Sequence, residues 1–281
     1  MTQPRTYPHG VTCWIDTEQP DPAAAARFYG GLFGWSLTDA MPPGAPGSYV
    51  IATQEGQDVA ALAPGAGGTA TWNTYVAVDD CDATAAAVAA LGGSVTAPPS
   101  DAGPAGRTAG CTDPQGAPFR LWQARRRPGA QRTNAPGTWN FSDLHTPDPS
   151  AALAFYVPLF GWRTTELPGG AGTMVQVPGY GDHLAATVDP DIHERQAEAP
   201  AGFADVIGGL AATLPAEPPH WHVVFAVADR DEAAATAERL GAVVLDAGEN
   251  AWTRTARLRD PQGAEFTVSQ FAPQTDGAAD L

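Results

Sequence analysis

Cysteine is scarce in this 281-residue chain: three residues, Cys13, Cys81 and Cys111, all in the first half. An odd number without metal-ligand spacing excludes a disulfide framework and a zinc knuckle. Cys13 and Cys111 fall in apolar, strand-like runs, where free cysteine acts as a small hydrophobe. Cationic side chains are also few, 15 against 31 Asp and Glu, for a formal charge of −16. Such a surface repels phosphate backbones and anionic lipid heads, so neither nucleic acid nor membrane is an expected partner. No apolar run approaches the roughly 18 residues that span a bilayer. Met1 to Gly10 lacks a basic stretch leading into an apolar core, so no signal peptide is expected and a cytoplasmic location is. A Gly-x-Ser-x-Gly elbow, a phosphate-binding glycine loop and a dinucleotide fingerprint are missing as well.

What the chain does have is a globular composition, with 43% hydrophobic residues, and 31 Gly and 27 Pro that call for many turns and short strands. It also repeats itself. Asp21-Pro22, Ala24–Tyr29 and Leu32-Phe33-Gly34-Trp35 return as Asp148-Pro149, Ala151–Tyr156 and Leu159-Phe160-Gly161-Trp162, at an offset of 127. Trp72 through Val78 matches Trp221 through Val227 at 149, and Asp113-Pro114-Gln115-Gly116 matches Asp260-Pro261-Gln262-Gly263 at 147. Landmarks kept in order, with loop-sized changes of offset, mark an internal duplication.

Within each half the pattern is strand, helix, then about three strands, given twice. In the first half a strand at Cys13–Thr17 precedes an N-cap at Asp21, proline at the first helical position and a helix over Ala23–Leu32. Strands near Trp35–Thr38, Ser48–Thr53 and Asp58–Ala63 follow. The second unit runs from strand Trp72–Val78 to helix Ala83–Leu91, closed by Gly92-Gly93, then to strands near Thr108–Thr112 and Pro118–Gln123 around the Asp113–Gly116 turn. The arginine- and proline-bearing stretch between the halves reads as a linker lying against an acidic surface.

The Phe-Tyr-x-x-Leu-Phe-Gly-Trp segment after an Asp-initiated helix, with the Asp-Pro-x-Gly turn before a closing strand, resembles the glyoxalase/bleomycin-resistance/extradiol-dioxygenase (vicinal oxygen chelate) superfamily. That resemblance implies an α+β fold: four βαβββ modules in two tandem paired-module domains with curved, open mixed sheets. The domains would be residues 1–123 and 139–281, joined by a linker at 124–138. Whether modules pair within the halves or across them is left open. The superfamily spans lyases, isomerases, dioxygenases and drug-sequestering proteins, so fold does not settle activity.

The superfamily's metal ligands come from the first strands of paired modules and the closing strand, with His, His or Gln, and Glu typical. Carried over by spacing, these positions are Trp14, Asn73 and Arg120 in the first half, and Phe141, His222 and Thr267 in the second. Only His222 is a good ligand, and one imidazole does not make a site. No metal site and no cofactor are therefore expected, with a divalent metal left open. A rearranged site is the alternative. Strand residues two apart share a face, so Asp143 and His145 align with Phe141, Glu265 with Thr267, and His220 with His222. His183 is placed on the last strand of the third module. Asp16 and Glu18 are the first-half counterparts.

Candidate catalytic residues are His145, His183, His222 and Glu265. Candidate ligand-binding residues are Trp14, Asn73, Arg120, Phe141, Asp143, Trp252, Arg254 and Thr267. Trp14 and Phe141, with Tyr75 and Phe225, are expected to provide aromatic walls for a flat ligand, and Arg107 and Arg254 to meet a carboxylate, of a ligand or of the protein itself. The leading expectation is metal-independent binding of a small aromatic or polyketide-like metabolite by a monomer or homodimer. The alternative is a lyase, isomerase, cyclase or dioxygenase-type enzyme using the second-half histidines and carboxylates. A third possibility is a concavity filled by the protein's own side chains.

Overall fold

A computed structural model describes residues 5–42, 44, 46–65, 68, 70–167 and 172–273. In the first half, β1 (Thr12–Gln19) leads to α1 (Pro22–Phe33), β2 (Ser36–Asp39), β3 (Val50–Gln54) and β4 (Gln57–Pro64). Then come β5 (Thr71–Ala77), α2 (Cys81–Ala90), β6 (Ser94–Asp101), β7 (Gly106–Thr112) and β8 (Pro118–Ala124). The second half repeats this with β9 (Trp139–Thr146), α3 (Pro149–Phe160), β10 (Arg163–Glu166), β11 (Thr173–Gln176) and β12 (Val206–Ala212). It ends with β13 (His220–Ala226), α6 (Arg230–Arg239), β14 (Val243–Glu249), β15 (Thr253–Arg259) and β16 (Glu265–Phe271).

The helix starts follow from local chemistry. The Asp21 carboxylate accepts from the Ala23 and Ala24 N–H groups, Pro22 sits where an N–H would be unsatisfied, and Gly34 closes α1 at φ +71°. Asp148, Pro149 and Gly161 do the same for α3. An edge strand absent from the sequence reading is β6, whose Pro98-Pro99 pair is tolerated because it lies at the margin of the sheet.

Sheet pairing stays within each half. The orders are β2-β3-β4-β1-β5-β8-β7-β6 and β10-β11-β12-β9-β13-β16-β15-β14, with β1 antiparallel to β5 and β9 antiparallel to β13 at the centres. The helices lie on the sheets of their own halves, and α1 and α3 also reach across to the other half. On α1, Phe28 and Phe33 meet Phe266 and Phe225 of the second sheet, while on α3 Phe155, Tyr156 and Phe160 meet Phe119 of the first. The two sheets thus face each other with their helix-bearing sides. Thr74 donates to Ser142 at 2.8 Å where the central strands touch.

The two duplicated motifs find each other in this joint. Asp260 uses one carboxylate oxygen to cap its own turn through the Gln262 and Ala264 N–H groups. Its other oxygen accepts from Tyr29 and Gln19 of the opposite half, each at 2.8 Å. Asp113 repeats the arrangement, with Tyr156 as its donor at 3.2 Å. The linker is likewise tied down, by Arg125 to Asp101, Arg127 to Asp58 and Arg132 to Glu55.

The third module departs from the fourfold pattern. Where a two-residue turn joins β3 to β4, residues 177–205 lie between β11 and β12 and carry α4 (Tyr180–Thr187), α5 (Ile192–Arg195) and a 3₁₀ turn at Phe203–Asp205. No helix among the described residues is long and apolar enough to cross a membrane.

Candidate functional site on the outward face of the second sheet

Alternation along β1 and β5 sends Ile15, Thr17, Trp72 and Thr74 towards the joint core and Trp14, Asp16, Glu18, Asn73 and Tyr75 outward. On that first outward face the side chains bond to one another. Asp16 is fully buried and accepts from Asn73 Nδ2 at 2.8 Å, Tyr75 OH at 2.5 Å and Tyr49 OH at 3.1 Å. Trp14 Nε1 donates to the Tyr49 hydroxyl at 2.9 Å. The Arg120 guanidinium bonds Tyr75, pairs with Glu18 and lies 3.8 Å from Asp16. Burial, then the Asp16 charge, raise the Tyr49 and Tyr75 pKa values well above the usual phenol range, so both stay donors. Trp14, Asn73 and Arg120, expected to bind a ligand, are thus consumed in a closed network. Tyr49 was missed because it lies outside the first strands and nothing in its spacing points to Asp16.

The second outward face has the same register and different contents. His220 stands opposite His145, His222 opposite Asp143, and Val224 opposite Phe141, while Thr267 lies beside Val224. His145 is 4.7 Å from His220 and 5.4 Å from His222 between ring centres. His222 Nε2 and the Thr267 hydroxyl share a hydrogen bond of 2.8 Å. Burial, reinforced by His145, His220 and Arg257, depresses the His222 pKa to about 3, so the ring is neutral. His145 is shifted down as well, by burial and then His220. Asp143 Oδ1 accepts from the Gly209 N–H at 2.6 Å, yet desolvation raises its pKa to about 6.

Glu217 completes this cluster from the loop before β13. Its Oε1 lies 3.3 Å from His145 Nδ1 and 3.8 Å from His220 Nε2, while Oε2 accepts from the Leu214 N–H at 2.7 Å. Burial works against its charge, but the Leu214 N–H and the two imidazoles outweigh it and hold the pKa below the usual range. Glu217 was missed because it belongs to an irregular loop with no counterpart in the repeat.

Beside Phe141 lies a cavity of about 70 Å³, lined also by Arg5, Tyr180, Thr133, Trp139 and Gln196. Buried polar atoms of Thr133, Trp139 and Gln196 have no hydrogen-bond partner in the protein. Native proteins seldom leave such atoms unmatched.

Several sequence-based candidates do not join the cluster. His183 sits on helix α4, not on a strand, and its ring bonds the hydroxyl and carbonyl of Thr6. Glu265 is on β16 but pairs with Arg259 at 2.7 Å. Arg254 pairs with Asp231, and Arg107 with Asp82 and Asp101, so protein carboxylates already occupy both. Trp252 precedes β15, five residues from the Arg257 that faces Thr267. Phe225 lines no concavity: it packs against Phe33, Trp35, Trp72 and Phe266 in the core.

A metal at the superfamily's usual ligand positions does not fit this chain. Phe141 offers a phenyl ring there, the Thr267 hydroxyl is engaged with His222, and the first-half positions are Trp14, Asn73 and Arg120.

The glyoxalase-like domain family matches the chain twice, over residues 13–122 and 141–269. CFP32 of Mycobacterium tuberculosis (strain CDC 1551 / Oshkosh), provisionally named a glyoxylase, is 40% identical over 98% of this chain and 100% of its own. The anthracycline biosynthesis protein DnrV of Streptomyces peucetius is 34% identical over 96% of each. Among solved structures, the Mn(II)-bound glyoxalase from Novosphingobium aromaticivorans superposes with a TM-score of 0.61 at 16% identity, over 94% of this chain and 83% of its own. The 2,3-dioxygenase LapB from Pseudomonas sp. KL28 gives 0.59 at 15%, over 97% of each. These two structural likenesses concern the fold alone. The chain belongs to the glyoxalase-like domain family and carries two copies of that domain in tandem.

Proposed function

We propose that the chain binds a small aromatic or polyketide-like metabolite on the outward face of the second sheet, without a metal at the superfamily's ligand positions. The carrying observation is the asymmetry between the two faces. Equivalent strand positions are sealed by Asp16 and its donors in the first half. In the second they present a half-buried phenyl ring, a carboxylate, imidazoles and a hydroxyl. Phe141 offers a stacking surface, and His145, Asp143 and the His222–Thr267 pair offer directional polar contacts to a hydroxylated ring. The cavity beside Phe141 has room for a substituent but not a ring system. Its unmatched polar atoms favour a ligand there. The full-length likeness to a protein named for anthracycline biosynthesis supports the ligand class.

A second reading, turnover of the bound molecule by acid–base chemistry, is favoured by one pair of groups. Asp143, with its pKa raised to about 6, can exchange a proton near neutral pH, and it stands opposite a His222 ring that stays neutral and can hydrogen-bond the bound molecule. Equilibrium dialysis of hydroxylated polycyclic aromatics against the full chain, with chromatographic and mass analysis of the recovered ligand, tests both. Recovery of unchanged, retained ligand supports sequestration, and a changed mass or isomer supports catalysis. Absence of retention at millimolar concentration contradicts the proposal.

A further inference from the structure

We infer that His145, Glu217 and His220 form a divalent-metal site of the zinc type at the mouth of the second outward face, displaced from where the superfamily places its metal. The donor atoms of these three side chains lie within 4.8 Å of one another. A tetrahedral zinc about 2.1 Å from each donor spaces the donors roughly 3.4 Å apart. Closing on the ion therefore requires side-chain shifts of about 1.5 Å or less. Two imidazoles and one carboxylate are a donor set that borderline divalent ions prefer, and they leave a coordination position open.

Three observations separate this cluster from a chance surface grouping. First, the donors are oriented. His220 Nδ1 lies 2.9 Å from the Pro218 carbonyl, an acceptor only, so this nitrogen carries the proton and Nε2 presents a lone pair towards Glu217. Metal-ligating histidines characteristically donate their other N–H to such a carbonyl. Glu217 Oε2 is held by the Leu214 N–H, leaving Oε1 between the two rings, where it accepts from His145 Nδ1 at 3.3 Å, a proton that a bound ion would displace.

Second, the supporting loop is stiff. Pro215, Pro218 and Pro219 surround Glu217, and Ala216 adopts φ +66°, a left-handed conformation that costs a non-glycine residue energy and recurs where function requires it. Third, a lone pair and a carboxylate oxygen converge on one point, which favours a cation there. The corresponding first-half strand residue, Glu18, already has its cation in Arg120.

The site is not the superfamily's own. His145 is four residues along β9 from the Phe141 position, roughly 13 Å at the rise of a strand. The inference shares His145 with the ligand reading but does not rest on it, because that reading requires no ion and the test below uses no organic ligand.

The test is a Co(II) titration of the full chain, purified without a histidine tag and stripped with chelator. Visible ligand-field absorption reports coordination, and Zn(II) competition gives affinity. One equivalent is expected per chain, displaced by Zn(II) and weakened at least tenfold by Glu217→Gln and by His220→Asn. Circular dichroism confirms that each variant is folded, and the near-isosteric Glu217→Gln preserves the Leu214 bond through its amide oxygen. His193→Asn, which alters the separate exposed pair with Asp182, is expected to leave binding unchanged. Absence of binding contradicts the site. So does binding that survives Glu217→Gln at full strength or is lost equally in His193→Asn.

Discussion

Asp16 and Asp143 occupy equivalent places and do opposite things. Asp16 gathers the Asn73 amide and the Tyr49 and Tyr75 hydroxyls and lies near the Arg120 charge, with none of its surface exposed. Replacing it by alanine leaves the Asn73, Tyr49 and Tyr75 donors without their acceptor, while Arg120 keeps Glu18. Asp16→Ala is expected to cost about 3–5 kcal/mol in urea unfolding, while the second face, on the other sheet, keeps its ligand affinity. A loss under 1 kcal/mol would show that the network does not hold the first face together. Asp143 instead has one backbone donor and an elevated pKa.

His222 is expected to make the fold acid-sensitive. Its folded pKa lies below that of an unfolded histidine, so the unfolded chain takes up the proton first as pH falls. The stabilising contribution is complete above about pH 6.5. It is lost as pH falls towards the folded value of about 3. With chelator present, the melting temperature of the wild type is expected to fall across this window more steeply than that of His222→Asn. Parallel curves would contradict a buried neutral imidazole.

At the scale of elements, β12 approaches β9 closely because Gly208 and Gly209 lack side chains. A Cβ on Gly209 would lie 2.8 Å from Asp143 Oδ1. Gly209→Ala should displace the carboxylate and weaken ligand binding roughly tenfold, or about 1.4 kcal/mol, as read by calorimetry. Unchanged affinity would remove Asp143 from the site. Across the joint, Tyr29→Phe removes one of the two donors to the Asp260 oxygen, Gln19 being the other, and an acceptor that Trp72 uses. A loss of about 1–3 kcal/mol is expected from denaturant unfolding.

The helix caps and the central strands were legible because Asp-Pro starts, glycine stops and period-two alternation are local signals. Strand alternation also aligns Asp143 with His145 and His220 with His222, and the structure brings both pairs onto one face. The helical excursion between β11 and β12 was not legible, since its residues have no partner in the repeat, and His183 was misplaced with it. Glu217 and Tyr49 escaped for a related reason: long-range contacts from loops and neighbouring strands leave no periodic trace. Phe225 was misassigned by one step of alternation, the error that moves a side chain from one face of a sheet to the other.

At the scale of the molecule, sheets close within halves while aromatic side chains of α1 and α3 reach across to the other half, so neither half covers its aromatic cluster by itself. Phe28 and Phe33 need Phe225 and Phe266, and Tyr156 needs Phe119 and Asp113. Residues 1–137 or 138–281 expressed alone are therefore expected to aggregate or remain unfolded, while the full chain melts in one calorimetric transition. Two separate transitions would contradict this interlock.

The asymmetry of the two outward faces is tested most directly by calorimetric titration of a hydroxylated anthraquinone into the wild type, Asp143→Leu and Glu18→Gln. One binding site per chain is expected, weakened at least tenfold by Asp143→Leu and unaffected by Glu18→Gln. Two equivalent sites, or a loss confined to Glu18→Gln, would contradict the assignment of the working face to the second half.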